Sequence, residues 1–270
     1  MSDPSTLTGI LALALYGYAL KLLWPTHDGG SSASQAYESR SRWIVLLALI
    51  THAYGTHQIL FEEDTVRLSL LYVANVVCLI ITTVVLIGAL RLPVARLFLL
   101  TVPVGMAIVT LSLFIDPGFT TSQTLSTPLL THIIISLGAY SALMLAACQS
   151  ILLAILDKRL KTPGRQTSQW LPPLETMEQL LVAMLWIGLT LLTASIASGF
   201  LFLEDMFVQN VAHHIIITSL SWLVYAFFLS GRYILGWRGL TAVRWTLVAF
   251  ALLVVGYLGS KFVLEYILQR

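Results

Sequence analysis

Six histidines, His27, His52, His57, His132, His213 and His214, are the residues of this 270-residue chain best suited to do chemistry. An imidazole can ligate a haem iron or another metal, carry a proton near neutral pH, or sit as a polar cap at a lipid surface. Two neutral imidazoles from different helices can fill both axial positions of an iron, with helix N-termini or basic residues meeting the propionates. In "THIIISLGAYSAL", His132, Ser136 and Tyr140 advance by four and form one helical stripe, and Gly138 lets a neighbour or a flat ligand approach. No carboxylate or cysteine accompanies these histidines at zinc-ligand spacing, and no nucleophile stands at a recognisable distance from a base, so hydrolytic chemistry finds no support.

The elements that must position these residues follow from composition. The chain is 57% hydrophobic and only 10% charged, with a mean hydropathy of +0.86. A chain so poor in charge presents most of its surface to lipid. The lipid bilayer is therefore its first partner, and a net charge of +2 gives no reason to expect nucleic acid. Apolar runs near residues 6–24, 43–61, 68–90, 97–115, 128–156, 175–203, 212–235 and 244–267 are each long enough to cross about 30 Å of hydrocarbon. The expected fold is an all-α polytopic membrane protein, a bundle of about eight transmembrane helices. Cys78 and Cys148 lie inside apolar runs and read as small buried hydrophobes, and no CxxCH is present for covalent haem attachment. The N-terminal "MSDPSTLTG" lacks the positive region of a cleavable signal, so the first run reads as a retained helix.

Lysines and arginines set the orientation. Lys21, Arg40, Arg42, Arg91, Arg96, Lys158, Arg159, Lys161, Arg165, Arg232, Arg238 and Arg244 flank the connections after the odd-numbered helices; only Arg67, Lys261 and Arg270 fall on the other side, with Glu62, Glu63, Asp64, Glu204 and Asp205. The basic side is expected to be cytoplasmic, which puts both termini on the outer, periplasmic side. The two longer connections, 25–42 and 157–176, are then cytoplasmic, the first Ser/Gly-rich and read as mobile. No internal repeat is visible, and residues 1–270 read as a single transmembrane domain.

This topology sorts the histidines by depth. His27 lies in the cytoplasmic connection, His57 toward the outer end of helix 2, His132 at the outer start of helix 5, and His213 and His214 at the outer start of helix 7. His52 lies about 7.5 Å deeper than His57, near mid-membrane, and about 140° around the helix from it. An ionisable group at that depth normally faces the bundle interior. Each residue also has a plainer role open to it. His52 can bond a carbonyl or hydroxyl on a neighbouring helix; His57, His213 and His214 can be wetted interfacial side chains; His132 can cap its helix.

The stretches "LLTHIIISLGAYSALMLAACQSILLAILDKRLK" and "SLSWLVYAFFLSGRYILGWRG", with the mid-helix histidine of "LITHAYGTHQIL", resemble the membrane core of the cytochrome c assembly family, including its HemX-like branch. The resemblance implies a multi-pass protein of the bacterial inner (cytoplasmic) membrane that binds or delivers haem, with the histidine at position 132 as an axial ligand on the outer side. It departs from the family's pattern where the tryptophan-rich haem platform would lie, since "EDMFVQNVAHH" has no tryptophan, and Ser230 stands where a later family histidine would be. The expectation is a non-enzymatic haem b binder that assists cytochrome c-type biogenesis alongside other haem-maturation proteins. Its iron ligands would be His132 with His213 or His57, and His52 and Tyr140 are further cofactor-binding candidates. Two alternatives stay open: a HemX-like regulatory or scaffolding subunit contacting a partner through the basic 157–165 stretch, and a proton-coupled transporter in which His52 relays through Asn75 or another intramembrane polar group.

Overall fold

Inside a bilayer a backbone must satisfy its own hydrogen bonds, and apolar runs of this length do so as α-helices. The computed structural model describes residues 4–24, 31–62, 65–115, 121–123, 126–161, 171–202 and 212–259. Its helices are α1 (Pro4–Leu23), α2 (Ser31–Leu60), α3 (Leu70–Gly88), α4 (Phe98–Phe114), α5 (Thr127–Leu160), α6 (Leu174–Phe202), α7 (Ala212–Leu235) and α8 (Leu240–Val254). Among the described residues, eight helices are long and apolar enough to cross a membrane. Large apolar side chains such as Leu7, Ile10, Phe114, Ile187, Leu201 and Ile216 are exposed. In a lipid solvent that exposure carries no penalty, so the helices are held by close packing and interhelical hydrogen bonds.

The chain divides into two compact units, Met1–Thr124 and Leu125–Arg270. In the first, α1 packs on α2 and α4, while α3 packs on α2 and α4. Buried Ala12, Tyr16 and Ala19 line one face of α1, and buried Val45, Ala48, Leu49 and His52 one face of α2. Thr8 lies so close to Gly55 that a Cβ there would stand 2.9 Å from its Oγ1. A small antiparallel sheet joins the helix ends, in the order β1 (Phe61–Glu62), β2 (Thr65–Leu68) and β3 (Thr121–Gln123). Phe61 pairs with Val66, and Val66 in turn with Gln123. The sequence reading had no strands; β-branched Thr65, Val66 and Thr121 favour this ribbon where the apolar runs stop. At the basic end, Arg96 donates to the Leu23 carbonyl at 3.1 Å and Arg42 to the Ala89 carbonyl at 3.1 Å. These arginines thus also neutralise the C-terminal ends of α1 and α3.

In the second unit, α5 and α6 run antiparallel in steady register. Gln149 donates to the Met177 carbonyl at 3.0 Å, Leu143 lies against Gly188, Leu191 against Gly138, and His132 against Gly199. Trp222 on α7 donates to Thr193 on α6 at 2.7 Å, and Ser221 to the Ala249 carbonyl of α8 at 2.7 Å. Gly236 and Gly239 hold φ of 69° and 58° in the turn between α7 and α8, a backbone region that glycine enters without strain. The Gly239 amide donates to Glu178 Oε1 at 2.7 Å, and Arg232 lies 4.0 Å from Glu178 Oε2.

Two boundaries differ from the sequence reading. The 25–42 stretch is not simply a mobile connection, because α2 already begins at Ser31. Its Ala, Gln, Glu and Arg residues favour helix, and extending an existing helix avoids the cost of a new nucleus. The eighth helix begins at Leu240 rather than 244, directly after the Gly239 turn, so Arg244 sits within α8; the helix passes into a π turn at Val255–Gly259. A long arginine stem can run along an apolar helix surface, so its charge does not mark the helix start.

Candidate functional site

The half-buried side chain of His132 sits one turn into α5, which Ser126 precedes and Pro128 starts. It meets a strip of small residues on α6. Nδ1 of His132 lies 2.9 Å from Ser198 Oγ. Ser198 donates its hydroxyl proton to the Ser195 carbonyl at 2.9 Å. Ser136 donates to the His132 carbonyl at 2.7 Å and lies 2.7 Å from Ser195 Oγ. A hydroxyl has one proton, and one assignment serves all of these contacts at once. Ser195 gives its proton to Ser136, Ser136 to the His132 carbonyl, and Ser198 to the Ser195 carbonyl. Ser198 Oγ is then the acceptor, and the proton between it and His132 belongs to Nδ1. The neutral ring consequently carries its lone pair on Nε2, 3.4 Å from Ser136 Oγ. Gly199 closes the seam: a Cβ there would stand 3.3 Å from His132 Cε1.

Tyr140, two turns further along the stripe, packs its ring against Tyr257 with centroids 5.3 Å apart. Its hydroxyl and that of Thr218 on α7 are buried without hydrogen-bond partners among the described residues. His213 lies in the first turn of α7, and its side chain lies outside the described residues, as does that of His214. The Trp222–Thr193 and Tyr233–Trp186 contacts set the register of α7 on α6. His27 and the tryptophan-free 203–211 stretch lie outside the described residues.

The first unit holds a second polar constellation. His52, only 3% exposed, has Nε2 3.0 Å from Asn75 Oδ1 and Nδ1 3.2 Å from the Tyr16 hydroxyl. Asn75 donates its amide to the Leu71 carbonyl at 2.9 Å, which turns Oδ1 toward the imidazole. His52 therefore donates from Nε2, and Nδ1 accepts from Tyr16. Both ring nitrogens are taken up by α1 and α3, so the mid-membrane histidine ties three helices together. The depth of His52 was legible, and Asn75 was one possible relay partner for it; Tyr16 was not, because an aromatic in an apolar run reads as packing. His57 is exposed at the end of α2, with its ring 4.9 Å from Phe61.

The two units share one evolutionary description. The family model for the cytochrome C assembly protein matches residues 41–268. The chain belongs to the cytochrome c assembly protein family. The match takes in most of α2 and all of α3 to α8, hence His52, Asn75 and the His132 seam, while Tyr16 on α1 precedes it. Inner membrane protein YpjD of Escherichia coli is 30% identical over 266 residues, 96% of this chain and 98% of YpjD. Protein HemX of Brevibacillus brevis is 27% identical over 166 residues, 58% of this chain and 60% of HemX. A 28.8 kDa protein from a nifR3-like 5′ region of Azospirillum brasilense is 31% identical over 141 residues, 51% of this chain and 52% of its own length. No solved structure gives a significant match.

Cytochrome c assembly proteins are associated with haem handling, and His132 in the α5–α6 seam is the residue that could hold such a group. A ligating imidazole is oriented by the bond its other nitrogen makes, and here Ser198 supplies that bond. Ser195, Ser198 and Gly199 were not read from the sequence as site residues. The signal was the small-residue run "TASIASG", which in a membrane helix marks close approach of a neighbour.

Proposed function

We propose that this chain is a haem b-binding protein of the bacterial inner membrane that assists haem handling in cytochrome c-type biogenesis and is not itself a catalyst. His132, through Nε2, and His213, at the start of α7 in the same unit, would hold the iron. Tyr140 lines the site. Haem bound there supplies a redox-active iron. The chain's own groups hold the imidazole in one tautomer and keep the surroundings apolar. The observation that carries this reading is the Ser198 contact to Nδ1, which leaves the lone pair on the nitrogen a metal would use. The likeness to inner membrane protein YpjD supports the location. The family match across both units supports treating residues 1–270 as one functional domain. The basic connections are cytoplasmic in this reading and both termini are outside.

The test is a reduced-minus-oxidised difference spectrum of the purified full chain, repeated with His52, His57, His132 and His213 replaced singly by alanine. A b-type spectrum lost in His132→Ala and in His213→Ala, and kept in His52→Ala, is the expected result. A colourless wild type, or an unchanged spectrum in His132→Ala, rejects the proposal. A second reading is a regulatory or scaffolding subunit whose basic 157–165 stretch meets a soluble haem-maturation partner. Site-specific crosslinking from Lys158 and Lys161 that captures no such partner rejects that alternative.

A further inference from the structure

The serines on α6 do more than pack. We infer that Ser198 is the positioning residue of the His132 site: by accepting the Nδ1 proton it holds His132 in the tautomer whose Nε2 carries the lone pair. The inference deepens the haem reading and rests on it for its biological meaning, but it concerns a property the chain has without haem.

The argument is proton accounting over four side chains. Ser198 is 6% exposed and Ser195 7%, so neither hydroxyl has bulk water as a competing partner. Ser198 can donate once, and the 2.9 Å contact to the Ser195 carbonyl, the ordinary bond of a helical serine to the preceding turn, offers that proton an acceptor that can only accept. Towards His132 at 2.9 Å it is left as an acceptor. Ser136, one turn along α5, directs its proton to the His132 carbonyl at 2.7 Å and is held there by Ser195 Oγ at 2.7 Å. It therefore does not act as the donor to Nε2, from which it is 3.4 Å away. Gly199 leaves room for the ring edge, with His132 Cε1 as its nearest neighbour. A free imidazole favours the opposite tautomer, with the proton on Nε2, so the site works against the default. In metal sites the outer partner of a histidine commonly fixes the tautomer and raises the basicity of the ligating nitrogen. Here that partner is a neutral hydroxyl, and it comes from a helix other than the one that carries the ligand.

Two readouts separate this inference from the haem reading. The first is the 15N spectrum of histidine-labelled full-length protein without haem, with His132 assigned by its disappearance in His132→Gln. The wild type is expected to give a protonated Nδ1 and an unprotonated Nε2. Ser198→Ala is expected to lose that preference, and Ser198→Thr, which keeps the hydroxyl, to restore it. The second is haem titration followed at the Soret band, in which Ser198→Ala binds about 10- to 100-fold more weakly than wild type. A wild-type His132 protonated on Nε2, or an unchanged tautomer in a folded Ser198→Ala, overturns the inference whatever haem does. The expected tautomer in a protein that takes up no haem upholds Ser198 as the positioning residue and rejects the haem proposal. Should Ser198→Ala not fold, the wild-type tautomer alone decides.

Discussion

His132 and Ser198 meet at 2.9 Å across the α5–α6 contact, and the direction of the bond follows from what Ser198 does with its own proton. With the Ser198 proton on the Ser195 carbonyl one turn back, the imidazole is the donor. A contact that distance alone leaves ambiguous becomes directional because its partner is already engaged.

Gly199→Ala tests how closely the ring is fitted. The new methyl would stand 3.3 Å from His132 Cε1, so the ring must move by a few tenths of an ångström. An off-rotamer displacement of this kind costs about 0.5–1.5 kcal/mol, or about 2- to 10-fold in affinity. Haem titration at the Soret band should show a loss within that range and smaller than that of Ser198→Ala; an unchanged curve would mean that the ring is loosely held.

The Tyr16–His52–Asn75 constellation is expected to act as a stabilising tie. His52→Ala leaves the Tyr16 hydroxyl and Asn75 Oδ1 buried without their partner, at a cost of about 1–3 kcal/mol. Thermal unfolding in detergent should show the loss. The double variant with Tyr16→Phe should lose less than the sum of the two single changes, since the shared bond can be removed only once. Haem content per folded protein should stay at the wild-type level in each variant.

Gly188 and Gly138 should respond differently to alanine. At 188 the methyl would stand 2.7 Å from Leu143 Cγ and nearer still to Cδ2, in a seam where Leu143 is fully buried. Overpacking of this kind costs about 1–3 kcal/mol. At 138 the methyl would make an ordinary 3.5 Å contact with Leu191 Cδ1. Gly188→Ala should therefore lower the melting temperature while Gly138→Ala leaves it nearly unchanged, and equal effects would contradict the α5–α6 register.

Glu178 holds the α7–α8 turn through the Gly239 amide and lies beside Arg232. Glu178→Gln keeps an oxygen acceptor for the amide and loses the charge, whereas Glu178→Ala loses both. The alanine variant should be the less stable by about 1 kcal/mol or more, measured by denaturation in mixed micelles. Parity between the two would mean that the amide bond contributes little.

The amino-acid sequence by itself determined the class of protein and most of its elements. Sparse charge and eight apolar runs leave no alternative to a lipid-facing helical bundle, because an unsatisfied backbone in hydrocarbon is too costly. Pro128 marked the start of α5, and the four-residue spacing of His132, Ser136 and Tyr140 put them on one stripe. Depth along a helix is a local property, and so the candidacy of His52 could be read before any coordinates. What lay across from each histidine could not, because partners are set by which helices pack and in what register. Tyr16 reaches His52 from 36 residues away, and Ser198 reaches His132 from 66. Proton direction is more remote still from the sequence, since it depends on each hydroxyl's other contact. Only the packed α5–α6 seam, by engaging the Ser198 proton elsewhere, decided which nitrogen of His132 carries the lone pair.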